Sequence, residues 1–404
     1  MTDYKRTERA CYLGYINQAI TVNLLALFFL IFRTDYGISY TGLGTIIFII
    51  FFVQIAVDAI LVKLAAGIGY KACAITAHIL SAVGLILLGI LPKIMDPYAG
   101  IIISMVTYSV GGGITEVVVS PIVDSLPSDA KASKMSFLHS FYSIGQFAVI
   151  LISTLILKLI GSANWNLIPI MWSVLPILDV FLFARAPVPP VSPEAKKAPL
   201  LKYFSSPLMY FALILMICSG ASEMAMCQWA SLFAEQGLGV TKVLGDLLGP
   251  CLFAVFMGAG RILYGVYGKK TRIEAALLFC GVITLLCYLL TVASGAPFVA
   301  LLGCSLCGFG VSIMWPGTLS LTSAHFGPLS GPGLFAILAL AGDVGCSLGP
   351  WVTGKVSDLY LSVKSGAAPL HALRAGLLTA AVFPLTLTVI IAVYYMRNRR
   401  NPSK

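Results

Sequence analysis

Three carboxyl groups, Glu116, Glu223 and Asp343, stand deep inside apolar runs with no lysine or arginine placed equally deep in sequence. An acid inside a run long enough to cross a membrane is costly and rarely faces lipid, so each is read as looking into a protein interior or a water-filled cavity. Their chemistry would be the binding and release of a proton, with a carboxyl hydrogen-bonded to backbone, Ser or Thr as the alternative. Downstream of Glu116, residues His139, Tyr142, Ser143 and Gln146 follow the i, i+3, i+4, i+7 pattern and make one polar face on an otherwise apolar helix. Such a stripe lines either a solvated cavity or a hydrogen-bonded helix contact. On the fourth helix Tyr108, Gly112, Glu116 and Ser120 recur every four residues and share a slowly rotating face.

Other polar groups add to this set. Asn17, Gln18, Thr21 and Asn23 interrupt the first apolar run, and their spacing crowds them toward one face. In the second half Gln228 and Trp229 follow Glu223, while Ser305, Gly308, Ser312 and Trp315 share a face at spacings of three and four. An aromatic ring beside hydrogen-bonding groups suits a pyranose, although a tryptophan in such a run also serves packing or the membrane interface. Asp58, near the end of the second run, is expected to pair with a basic loop residue or another helix end, and Arg261 to be a gating or structural charge. His78 reads as a packed, neutral imidazole and Trp165 as interfacial.

Composition dictates what must position these residues. With 59% of 404 residues apolar and 10% charged, and a mean hydropathy of +0.95, the chain is a polytopic membrane protein. Spans of about 20 residues are predicted at 10–32, 41–64, 72–92, 98–121, 134–160, 164–184, 206–234, 243–266, 271–293, 297–324, 331–358 and 369–396. The fold class is therefore all-α, with twelve transmembrane helices. The Pro-rich run from Ala186, followed by Lys196 and Lys197, excludes a span. It divides the chain into an N-terminal six-helix bundle (1–190), a cytoplasmic linker (191–205) and a C-terminal six-helix bundle (206–404). Basic residues are concentrated on one side, which places both termini in the cytoplasm of a cell (inner) membrane. The formal charge of +10 then reflects topology and contact with anionic headgroups, and nucleic acid need not be invoked. No secretory signal is read at the start. Ten cysteines are scattered through apolar runs, and the lone Cys304/Cys307 pair reads as packing. No cofactor, metal site or enzyme signature is expected, and no phosphate loop couples the chain to ATP.

The halves echo each other. Ser143-Ile-Gly145 corresponds to Asp343-Val-Gly345, and Gly113 to Pro121 has the spacing of Gly308 to Pro316. Two pseudo-symmetric six-helix halves describe many secondary transporters, whose sites lie near midplane between repeats. Prolines 250, 316, 350 and 384 are expected to kink their helices.

The loop from Leu64 to Lys71 resembles a degraded form of the one after helix two in the major facilitator superfamily, with Ala66 where an aspartate is usual; the counterpart, Gly258 to Arg261 through Gly268 to Lys270, lacks it too. The stretch Gly111 to Pro121 is similar to the fourth-helix pattern of that superfamily's fucose permease group, with Ser120 in place of Asn, and Ser219 to Trp229 resembles its Gly-x-x-Glu pattern followed by Trp. The resemblance implies alternating access and proton-coupled symport of a small, neutral, hydroxylated solute such as a sugar. It also implies that His139 and Tyr142 replace amides near the sugar. The group's first-helix aspartate is missing, since no acid lies between Glu8 and Asp35, so proton handling must be arranged differently. The expected roles are proton coupling at Glu116, Glu223 and Asp343; substrate binding by Asn17, Gln18, Asn23, His139, Tyr142, Gln146, Gln228, Trp229, Ser312 and Trp315; and gating by Asp58 and Arg261. The expected partners are the small-molecule substrate, protons and the bilayer, with the chain acting as a monomer. Two alternatives remain open: a proton antiporter exporting amphipathic organic cations, and a transport-incompetent receptor or assembly factor on the same scaffold.

Overall fold

Apolar runs of this length satisfy their backbone groups in lipid only as helices, and every membrane-length run is helical. The computed structural model describes residues 4–126, 131–188, 200–267, 271–326 and 332–400. Among them twelve helices are long and apolar enough to span a membrane: α1 (Lys5–Tyr36), α2 (Tyr40–Leu61), α3 (Tyr70–Ile94), α4 (Pro97–Val123), α5 (Phe137–Ile160), α6 (Leu167–Arg185), α7 (Pro207–Gly237), α8 (Lys242–Tyr264), α9 (Ile273–Ala293), α10 (Pro297–Phe326), α11 (Ala336–Val363) and α12 (Pro369–Arg397). The first starts earlier than expected, because Lys5 and Arg6 begin the same helix that carries Asn17. Of the expected linker, residues 191–199 lie outside the described residues and Leu200–Ser205 form a 3-10 turn. The segment Gly268 to Lys270 also lies outside them.

Proline explains several of the helix breaks, though not the 3-10 segment Leu25–Phe28 within α1. A proline lacks the N–H that would bond the carbonyl four residues back, and its ring crowds that carbonyl. Interruptions accordingly fall just upstream of Pro176, Pro316 and Pro384, at Ser173, Ser312 and Ala381, and Pro250 lies within a π-helical turn, Leu247–Cys251. The expected kink at Pro350 is not accompanied by a break, since the helix Pro332–Val363 continues through it.

The chain separates into two compact units, Met1–Ile38 with Ile49–Lys196, and Ser39–Phe48 with Lys197–Lys404. Inside the first, α3 and α4 pack against each other, and Gly84 and Gly111 permit this because a Cβ at either would meet the backbone of the opposite helix. Gly145 of α5 lies against Ile16 and Ala19 of α1. Within the second unit Gly345 and Gly349 of α11 lie against Ile217 and Ala221 of α7 in the same way. Small residues at such crossings are what lets membrane helices approach. The correspondence of Gly145 with Gly345 is thus a correspondence of contacts, α5 on α1 and α11 on α7.

Candidate functional site

In the first unit the helices deliver their polar groups to three different places. Helix α1 rises with 3.6 residues per turn, so neighbouring Asn17 and Gln18 diverge by about 100°. Gln18 Nε2 donates to Glu116 Oε2 at 3.3 Å. Gly112, one turn before Glu116, lies where a Cβ would come within 2.9 Å of Gln54 Nε2, 3.0 Å of Gln18 Oε1 and 3.2 Å of Thr21 Oγ1. A bare backbone at Gly112 therefore lets two amides and a hydroxyl gather beside the acid. A carboxylate oxygen of Asp58 lies within 4.8 Å of one of Glu116. Asp58 itself is buried, and Glu116 is partly accessible. One turn beyond Gln54 on α2, Asp58 faces the acid of α4, while the side chains of the loop bases Lys63, Lys131 and Lys134 lie outside the described residues. At the far end of this face Tyr15 and Ser120 share a hydrogen bond of 2.7 Å.

The second place joins α1 to α5. Asn23 donates from Nδ2 to Tyr142 Oη at 3.3 Å and accepts at Oδ1 from Gln146 Nε2 at 3.3 Å. Gln146 is fully buried, Tyr142 and Ser143 are partly exposed, and His139 is exposed with its ring edge-on to Tyr15 at 4.9 Å. The polar stripe of α5 is thus a helix contact at its Gln146 end and accessible toward His139. Val149, three residues beyond Gln146, falls on the same buried face. Ile144 and Ile152 of the same helix are exposed.

Asn17 goes to the third place. Its Nδ2 stands 3.4 Å from His78 Nδ1 and 3.5 Å from Asp179 Oδ2. Asn17 is therefore removed from the group around Glu116, contrary to the expectation that it and Gln18 crowd one face. His78 is packed as expected, but beside Asp179 of α6, an acid that sequence reasoning does not single out. Its signal is a carboxyl within an apolar run, hidden by the closeness of Arg185 at the helix end.

In the second unit Glu223 and Asp343 are buried on α7 and α11. Arg261 of α8 lies within electrostatic reach of Glu223, which corrects the expectation that no basic residue lies near that acid. The guanidinium Nε also donates to the carbonyl of Ser312 at 3.4 Å, where α10 is interrupted. Ser312 is fully buried, its hydroxyl bonded to Phe309 O at 2.6 Å. Trp315, just past that interruption, lays its ring over Gly342, adjacent to Asp343. Gln228 is buried, with Nε2 3.7 Å from Met224 Sδ. Trp229 is fully buried, donates to Pro350 O at 3.1 Å and meets Tyr40 edge-on at 6.0 Å. In this structure it ties α7 to α11. Trp165 is likewise buried, against Phe28 and Phe32. Lys242 bridges Glu235 at 3.0 Å and Asp246 at 3.2 Å, an ion-pair cluster missed in the sequence although Lys242 and Asp246 are one turn apart.

Comparison with known proteins bears on this arrangement. The profile of the Major Facilitator Superfamily matches residues 11–350. Similar solved structures include a bacterial homolog of the human lysosomal transporter Spinster (14% identical, 97% of each chain covered, TM-score 0.78). They also include a D-xylose-proton symporter (13% identical, 96% of this chain and 97% of that one, TM-score 0.80) and the E. coli fucose:proton symporter (17% identical, 97% and 99%, TM-score 0.64). At these identities the likeness concerns the fold. No curated protein matches the chain by sequence.

Proposed function

Starting from a chain that belongs to the major facilitator superfamily, and is therefore a multi-pass membrane transporter and not an enzyme, we propose that it carries out proton-coupled symport of a small neutral hydroxylated solute such as a sugar. The observation that carries this reading is the approach of Asp58 and Glu116 within 4.8 Å, with Gln18 donating to Glu116. At an effective dielectric of about 20, two charges at that separation repel by on the order of 3 kcal/mol. A doubly ionised pair is disfavoured, and the two acids hold a proton between them. A solute hydroxyl that displaced Gln18 from Glu116 would change how tightly that proton is held, and such a difference between loaded and empty states is what coupling requires.

The missing acid of α1 is thereby replaced by one from α2. Gln18, Asn23, His139 and Tyr142 supply neutral donors and acceptors suited to hydroxyl groups, and Trp315 an apolar ring. The similar symporters of xylose and fucose favour this solute class by analogy only. Both termini are placed in the cytoplasm on the distribution of basic residues, and the chain is taken to act as a monomer in the cell membrane.

Reconstitution into proteoliposomes, with uptake of a panel of labelled sugars measured with and without an inward proton gradient, tests the proposal. Gradient-driven accumulation of a sugar supports it. Proton-driven exchange of organic cations instead, which an excess of acids could attract, contradicts it, as does the absence of any flux.

A further inference from the structure

His78 and Asp179 form a second titratable pair in the first unit, on α3 and α6. His78 Nε2 lies 3.0 Å from Asp179 Oδ2, and both side chains are wholly buried. The contact is close but not directed as a linear N–H···O bond, and Asp179 Oδ1 and Asn17 Oδ1 have no hydrogen-bond partner among the described residues. Buried polar atoms are normally satisfied, and a carboxylate left half-satisfied in an apolar interior is costly. The surroundings offer little compensation: the ring of Phe183 stacks on His78 at 5.4 Å, and Gly14 of α1 presents bare backbone toward both members of the pair.

We propose that His78 and Asp179 hold one proton between them and constitute a second proton-binding site, tied to the first through α1. The proton enters from water. It sits on His78 Nε2 or on an Asp179 oxygen, one N–H bond forming as one O–H bond breaks, and it leaves by the same route. Because neither side chain is exposed, a proton held here is occluded in the observed state. Asn17 touches both members, and the next residue, Gln18, holds Glu116. A shift or rotation of α1 therefore alters both sites together, which a pair confined to structural support would not require.

Few other groups can titrate or carry charge nearby. Helix α1 brings Cys11, which lies within electrostatic reach of Asp179, and Tyr15, bonded to Ser120. Helix α3 itself adds Cys73, and α4 adds Tyr108, packed at Gly84, and Glu116. Among the described residues, Lys71, donating to Ala186 O at 3.1 Å, and Arg185 sit at the ends of α3 and α6. The pair is the only contact of histidine with a carboxylate among the described residues that meets ion-pair distance.

The role of this site in transport rests on the proton-coupling reading above, but its existence is testable without substrate or gradient. The chain has four histidines. Replacing His139, His325 and His371 with Gln leaves His78 as the sole imidazole, and the 15N-histidine spectrum of the full-length protein in lipid nanodiscs is followed from pH 5 to pH 9. The expected result is a His78 signal that titrates within this window, with a midpoint displaced by at least one pH unit (tenfold in proton affinity) by Asp179→Asn. A signal invariant with pH, or a midpoint unmoved by Asp179→Asn, overturns the proposal. Should Asp179→Asn fail to fold, Asn17→Ala retains both titrating groups and is expected to move the midpoint several-fold in affinity; no movement is the contrary result. Titration without proton-driven uptake would sink the transport reading alone, and uptake without titration would sink the second site alone.

Discussion

Asp358 of α11 accepts from the backbone N–H of Thr41 at 2.6 Å and of Tyr40 at 3.2 Å, so one carboxylate holds two of the orphan donors at the start of α2. An acid at a helix N-terminus satisfies unpaired N–H groups and the positive end of the helix dipole together. Tyr40 Oη also donates to Gln236 Oε1 at 2.7 Å, and Gly354 leaves room for the Tyr40 carbonyl. Replacing Asp358 with Ala is expected to cost about 1–2 kcal/mol, read as a lower Tm of the purified protein, and Asp358→Asn less. An unchanged Tm for Asp358→Ala would remove the capping role.

The contact of α7 with α11 makes a second prediction. A Cβ at Gly345 would collide with the Ile217 carbonyl, which belongs to backbone and cannot swing away. Gly345→Ala should therefore destabilise by about 1–3 kcal/mol. Gly258→Ala, where nothing lies within 4 Å, should be neutral or slightly stabilising in a helix. Equal Tm values for the two variants would contradict this packing.

Accessibility along α5 is graded. Tyr142→Cys should react with a membrane-impermeant polar thiol reagent, Gln146→Cys more slowly because that position is enclosed, and Ile144→Cys hardly at all because its exposed side meets lipid. The ten native cysteines are buried among the described residues, so background labelling should be low. Equal reactivity at all three positions would remove the distinction between accessible, buried and lipid-facing sides.

Trp229→Phe keeps a large ring but deletes the bond to Pro350. The expected loss is about 1 kcal/mol of stability, with the apparent KM for solute unchanged. A several-fold rise in KM would instead return Trp229 to the binding residues.

What the sequence made legible follows from one-dimensional signals. Apolar length determines the twelve spans, and the missing proline N–H determines the breaks before Pro316 and Pro384. Intramembrane acids announced Glu116, Glu223 and Asp343. Partner choice is a different matter, because it depends on which helix faces which. Nothing local to Asn17 and Gln18 says that adjacent amides serve different acids on different helices. Asp58 is equally compatible, in sequence, with a loop lysine and with Glu116. Periodicity places Val149 on the face of Tyr142 and Gln146, as the third member of an i, i+4, i+7 series, but does not say that the Gln146 end of that face is buried. Glu223 looked isolated because Arg261 lies on another helix, and a sequence ranks depth only along each helix separately.

Glu116, set beside Asp58, is proposed to couple proton movement to solute movement, and its amide variant tests this most directly. Glu116→Gln keeps the size and hydrogen-bonding capacity of a protonated carboxyl but cannot release a proton. Counterflow and pH-driven accumulation of the transported sugar, measured on the same proteoliposomes for this variant, separate carriage from coupling; Asp58→Asn, Glu223→Gln and Asp343→Asn are run in parallel. The expected result is that Glu116→Gln retains counterflow within a few-fold of the parent and loses accumulation against a gradient. If Glu116→Gln accumulates solute like the parent while Glu223→Gln or Asp343→Asn does not, coupling resides in the second unit and Glu116 is not the residue that carries it.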